Sequence, residues 1–297
     1  MVKTLFTCAR GTTDKITVVV AILSGLRVFA TSLVFHRIEP LTHVGNKFIA
    51  HNADQSTERV SQMLQSKLGI ISLDTAFPRI HGDVGNAESY PFRVMIEIVK
   101  GADSPLIVRD AAPDAAMLDL FTAAAINLES KGAAAIVSTC GFLITAQTQI
   151  AASVKVPVMV SALSLYPVVR AICPGRTGIL TASSSALGAN ALAVAGIARA
   201  DVAIAGMEDE PAFANVILVT RDAQPDTLDR AAIEDAAVRK ALKLQKDHAD
   251  LSAVILECGN LPPYADAIRK ATGLPVFHLL DAAELLMASQ TIADQQA

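Results

Sequence analysis

AAAIVSTCGFL (133–143) and LSAVILECGNL (251–261) are two versions of one stretch. Each is an apolar run that breaks at a Cys-Gly pair, Cys140-Gly141 in the first and Cys258-Gly259 in the second. The likeness continues downstream at a constant offset. Leu143 lies over Leu261, Ile150 over Ile268, and Pro157-Val158 over Pro275-Val276. Short apolar runs bounded by turn residues read as buried strands, and longer periodic stretches between them read as helices. The repeated unit is therefore strand, cysteine turn, helix, strand, used twice.

Working outward, the runs at 134–138, 157–161, 252–257 and 275–279 are joined by others at 68–73, 92–98, 177–181 and 216–220. Ala-rich amphipathic stretches separate most of them. One is 113–130; another is 229–248, where Ile233, Ala237, Ala241 and Leu244 recur at helical spacing. Alternation of strands and helices predicts an α/β fold with mainly parallel sheets. Right-handed crossovers then place the strand carboxyl ends, where sites form, on one edge. The repeat predicts two pseudo-symmetric halves facing one cleft.

Composition excludes several function classes. The 297 residues are 52% hydrophobic and carry a net charge of -4, with 4% aromatics, no Trp and no basic stripe, so nucleic acid is not an expected partner. The four cysteines are Cys8, Cys140, Cys173 and Cys258; none forms a CxxC pair or has a His at ligand spacing. No metal site is expected, and free thiols in a reducing, cytoplasmic compartment are. Cys8 and Cys173 read as small buried hydrophobes.

The amino-terminal region differs from the rest. Residues 1 to 38 carry five basic residues against Asp14, with an apolar run from Ile16 to Phe35 interrupted by Arg27. Such a run suits a membrane anchor, a targeting segment, or an extension that adds little to the fold; Arg27 in mid-span argues against the anchor. Residues 39–64 read as a linker with one short helix. The expected organisation is an extension or linker over 1–65, a first half from 66–168 plus 281–297, and a second half from 169–280.

The cysteine turns carry the chemistry. A thiol just past a strand end and at a helix start meets unpaired N–H groups and partial positive charge, which lower its pKa. Glycine after it lets a ligand approach the backbone. Two such thiols facing each other across a small molecule could take a proton from one side of a carbon and return one on the other.

Ser138-Thr139-Cys140-Gly141 and Cys258-Gly259-Asn260-Leu261-Pro262-Pro263 resemble the paired cysteine motifs of the aspartate/glutamate racemase superfamily. That group includes glutamate, aspartate and hydantoin racemases, maleate isomerases and arylmalonate decarboxylases. LGIISLDTAFPRIHGDVGN (68–86) is similar to the first strand and substrate loop of a racemase-like subgroup, and GILTASSS (178–185) to the strand and Thr/Ser loop that opens the second half. The resemblance implies two flavodoxin-like halves, no pyridoxal phosphate or other cofactor, and a racemase or epimerase of an amino acid or related small carboxylate. Cys140 and Cys258 would transfer the protons. Asp74, Thr75, Arg79, Thr139, Gly141, Thr181, Ser183, Gly259 and Asn260 would bind substrate, Arg79 by gripping a carboxylate with two parallel hydrogen bonds. A homodimer is a possible assembly; a membrane is not an expected partner. Glutamate racemases usually show Cys-Asn-Thr and Cys-Thr-His where this chain has Cys140-Gly141-Phe142 and Cys258-Gly259-Asn260, so the substrate stays open. Superfamily decarboxylases typically keep one thiol, and the presence of two favours racemisation. The alternatives are a maleate-type isomerase or decarboxylase, or a non-catalytic small-acid-binding protein with redox-active thiols.

Overall fold

A computed structural model describes residues 5–10, 15–24, 27–36 and 66–290. It contains two compact units, Met1–Thr57 and Glu58–Ala297.

In the first unit, β1 (Leu5–Arg10), β2 (Lys15–Ser24) and β3 (Arg27–His36) form an antiparallel sheet in that order. The apolar run from Ile16 to Phe35, read as an extension with an anchor or a targeting segment as alternatives, forms two paired strands, registered from Lys15 opposite His36 to Ser24 opposite Arg27. Its richness in Val, Ile and Thr suits a pleated strand. Among the described residues, no helix is long and apolar enough to cross a membrane. The linker and short helix expected over 39–64 lie outside the described residues, as do residues 291–297.

The second unit holds two four-stranded sheets in which every pairing is parallel. The first runs β5-β4-β6-β7, built from β4 (Lys67–Leu73), β5 (Arg93–Val99), β6 (Ala133–Ser138) and β7 (Val158–Met159). The second runs β9-β8-β10-β11, from β8 (Arg176–Thr181), β9 (Val202–Gly206), β10 (Leu251–Leu256) and β11 (Val276–Phe277). The two strand orders are the same. In each half the opening strand pairs first with its edge neighbour, and a long helix then carries the chain back across to the other side.

Those crossover helices are α1 (Ala115–Ser130) and, in the second half, α6 (Arg230–Asp247). Both start on an aspartate cap. Asp114 accepts from the Met117 amide at 2.9 Å, and Asp229 accepts from the Ala232 amide at 3.0 Å. Such a cap contributes about 1 kcal/mol. Gly69 and Gly178, each third in its opening strand, let the crossover helix close on the sheet. A Cβ at Gly69 would lie 3.2 Å from Leu128 of α1, and one at Gly178 would lie 3.5 Å from Leu244 of α6. The other α-helices of six residues or more are α2 (Gln147–Ala152), α3 (Tyr166–Ile172), α4 (Ala189–Val194), α5 (Pro211–Ile217), α7 (Ala265–Thr272) and α8 (Leu279–Gln290).

The core is continuous through both halves. Leu68, Ile70 and Ile71 of β4 and Val254 and Ile255 of β10 are fully buried, each worth roughly 1.5–3 kcal/mol against exposure. Helix α8 packs on β6 of the first sheet.

One strand expectation is corrected. Residues 216–220 are not a strand: Val216 and Ile217 finish α5, which Pro211 opens and whose Phe213, Val216 and Ile217 face the core. The fourth strand of that sheet is β9, the short segment VAIAG at 202–206.

Candidate functional site

Cys140 and Cys258 each follow the carboxyl end of an equivalent strand, β6 and β10, with one residue between. Both line one pocket between the sheets, a cavity of about 330 Å³ including its mouth. The backbone explains the repeated Cys-Gly. A Cβ at Gly259 would lie 2.5 Å from the carbonyl oxygen of Thr139, the residue before Cys140. A Cβ at Gly141 would collide with the carbonyl oxygen and Oε1 of Glu257, the residue before Cys258. Each glycine thus admits the opposite strand end. The expectation that these glycines make room for a ligand is corrected to this extent: the closest approach is by the other half's backbone.

Thr75, Arg79, Thr139, Gly141 and Asn260 share the pocket lining with the two thiols. Arg79 comes from the loop after β4. Its Nη1 donates to Asp83 Oδ1 and its Nη2 to Thr75 Oγ1, both at 3.0 Å, and its guanidinium stacks 4.8 Å above the Phe77 ring. Asp83, 3% exposed, also accepts from the Gly85 amide at 2.7 Å and from Asn260 Nδ2 at 2.7 Å. Asn260 Oδ1 in turn accepts from the Cys258 thiol at 3.5 Å. A buried chain therefore runs from Cys258 through Asn260 and Asp83 to Arg79. Thr139 braces the first sheet, where its hydroxyl accepts from the Leu73 amide at 3.0 Å.

The other expected residues sit beside the pocket. Asp74 is buried and turns to the Gly101 amide (3.1 Å), Lys100 (3.3 Å) and Arg221 Nε (3.0 Å). Burial alone would raise its pKa, but that hydrogen bond and those two cations hold it below the ordinary value. Since Arg221 belongs to the second half, Asp74 ties the halves together. Ser183 exchanges a hydrogen bond with Ser185 at 3.0 Å, and Gly259 accepts from the Val84 amide at 3.0 Å. Thr181 donates to Glu257 Oε2 at 2.7 Å.

Glu257 and Asp83 escape the sequence reading. Glu257 is 1% exposed, lines the pocket and adjoins Cys258 directly. Burial raises its pKa to about 7, against the hydrogen bonds from Thr181 and the Ala182 amide. Its signal in the sequence is an acid at the end of the apolar run LSAVIL. Asp83 sits in the loop after β4, between Gly82 and Gly85.

The expectation of lowered thiol pKa values is overturned. Burial pushes Cys140 up to about 12, and the Glu257 charge adds to the rise; the Phe142 and Leu143 amides and the Arg79 cation oppose it. Cys258 is raised well above its ordinary value by burial, then by Glu257, with Cys140 and Asp83 adding and the Asn260 amide opposing. Desolvation in a closed pocket outweighs the local benefit of a helical turn. Both groups rest as thiols. Cys140, with two amides and a cation near it, is the better equipped to become a thiolate.

No protein-family model matches the chain. It is 28% identical over 229 residues to a protein named dimethylsulfoniopropionate lyase from Durusdinium sp. clade D, covering 75% of this chain and 74% of that one. It is 30% identical over 235 residues to dimethylsulfoniopropionate lyase 3 of Emiliania huxleyi (strain CCMP1516), covering 75% of this chain but 59% of the relative, less than two thirds of its length. Among solved structures, unliganded arylmalonate decarboxylase matches with a TM-score of 0.50 at 13% identity, covering 77% of this chain and 94% of that one. The chain shares the α/β fold of that structure, with two four-stranded parallel sheets.

Proposed function

We propose that this chain is an enzyme that removes the proton α to the carboxylate of a small acid, with Cys140 as base, and that the reaction is a β-elimination of dimethylsulfoniopropionate, the compound in its relatives' names. The observation that carries the reading is the convergence of two thiols and Arg79 on one small, mostly apolar pocket. Arg79 would draw electrons from a bound carboxylate and so acidify its α-carbon. The Cys140 thiolate takes the α-proton, and the C–H pair becomes the new C=C bond. With dimethylsulfoniopropionate the β-carbon–sulfur bond breaks and its electrons leave with sulfur. The products are acrylate and neutral dimethyl sulfide, which needs no proton. A positively charged sulfonium in the pocket also favours thiolate over thiol, which answers the high resting pKa of both cysteines.

A second reading, racemisation of an amino acid or related carboxylate, is favoured by one observation. Cys258 stands in the pocket beside Cys140, and racemisation needs both an acid and a base. One experiment separates the two. Incubate the protein in D2O with dimethylsulfoniopropionate, and separately with each enantiomer of aspartate and glutamate, and follow the products by proton NMR. Acrylate is the expected product. Deuterium at the α-carbon of an amino acid with no acrylate would replace elimination by racemisation, and silence with every substrate would remove both.

A further inference from the structure

Glu257 is a buried carboxyl that the proton transfers above do not use. Oε2 accepts from Thr181, while Oε1 is buried and has no hydrogen-bond partner among the described residues. An ionised carboxylate that is half unsatisfied in an apolar surround is costly unless a positive charge comes to it. The pocket wall carries two formally charged residues, Arg79 and Glu257. They arrive from different halves, Arg79 on the loop after β4 and Glu257 at the end of β10. Arg79 is already neutralised by Asp83 at 3.0 Å. Among the described residues no lysine or arginine is bonded to Glu257, whose neighbours are the Thr181 hydroxyl, the Ala182 amide, the Gly141 backbone and the two thiols.

We propose that Glu257 is the counter-charge for the cationic group of a zwitterionic substrate whose carboxylate is held at Arg79. The inference rests on the reading of this pocket as the substrate site. It adds a specificity: an acid carrying a sulfonium or quaternary ammonium at its far end is preferred over a neutral acid of the same shape. The cation would convert Glu257 from acid to carboxylate on binding. Burial holds its pKa at about 7, so near pH 6 most of it is protonated.

The test measures binding rather than turnover. By calorimetry, compare 3-(trimethylammonio)propionate with its uncharged carbon isostere 4,4-dimethylpentanoate, in the wild type and in Glu257→Gln. The wild type should favour the cation by about tenfold or more. In the variant that preference should vanish while the affinity for 4,4-dimethylpentanoate stays within about twofold, which also shows an intact pocket. Equal affinities in the wild type, or a preference that survives in the variant, overturn the proposal. Should the variant not fold, infrared spectra of the wild type at pH 6 decide. The band of a buried protonated carboxyl should disappear with the cationic ligand and persist with the neutral one, and an unmoved band overturns the proposal. A protein that shows the preference but makes no acrylate keeps this inference and loses the elimination; acrylate without the preference does the reverse.

Discussion

The two halves share a strand order, a capped crossover helix and a cysteine after the same strand, yet their thiols stand in different company. Cys140 is followed at once by a helical turn, Gly141–Ala146, and has amide donors and the Arg79 cation nearby. Cys258 is preceded by Glu257, bonded to Asn260 and followed by Pro262 and Pro263, with Asp83 behind. The duplicated backbone sets where the thiols lie, and the flanking side chains set which proton state each favours. The difference teaches that symmetry of fold and asymmetry of chemistry come from separate residues, so either can be perturbed alone.

The largest expected effect tests the asymmetry directly. Cys140→Ser should lower kcat by at least about a hundredfold, since a serine hydroxyl is a far weaker base. Cys258→Ser should cost clearly less if the reaction is elimination. Equal losses in steady-state assays of the two variants would erase the proposed division of labour and favour racemisation.

The buried chain behind Cys258 comes next. Asp83→Ala leaves Arg79 without its ion-pair partner and Asn260 and the Gly85 amide without an acceptor. Removing one partner of a buried pair should cost about 3 kcal/mol in urea unfolding. A loss under about 1 kcal/mol would show the chain to be incidental.

Glu257 supplies a pH signature of similar size. Its folded pKa of about 7 lies above the ordinary 4.5, so between those values the folded state keeps a proton that the unfolded chain has released. This contribution is fully present below pH 4.5 and is lost as pH rises towards 7, roughly 3 kcal/mol in all. Unfolding free energies across that window should fall for the wild type and stay flatter for Glu257→Gln.

The smallest effect concerns the exposed tie between halves. Arg221 is 46% exposed in its ion pair with Asp74. Arg221→Ala should cost less than about 1 kcal/mol, and less still at high salt. A larger loss by thermal melting would mean that this tie, rather than the shared core, holds the halves together.

The fold was legible because strand–helix alternation and a long-range repeat are properties of the chain read alone. Strand β9 was not, because VAIAG is short and three of its five residues are Ala or Gly, whereas VILVT at 216–220 has the stronger β signature and yields to a helix that Pro211 starts. The convergence of Thr75, Arg79, Thr139 and Asn260 with the thiols followed from motif likeness. The outward turn of Asp74 did not, since its partner Arg221 is remote in sequence. The thiol pKa values were misjudged because a helical turn is local and visible, whereas desolvation depends on how two halves close. Glu257 illustrates the same limit: only the tertiary fold shows its carboxyl pressed against Gly141.

Helix α8 has a consequence for how the protein is made. It is the last described element of the chain, yet it packs on β6, with Ala282, Ala283 and Met287 buried. On the ribosome, β4 to β7 emerge well before α8, so β6 lacks this cover until residues 279–290 have emerged. The second sheet, whose four strands and crossover helix are contiguous from Arg176 to Phe277, has all its strands sooner. The half that emerges first is therefore completed last, and a nascent chain stalled before Leu279 would present a bare apolar face to chaperones.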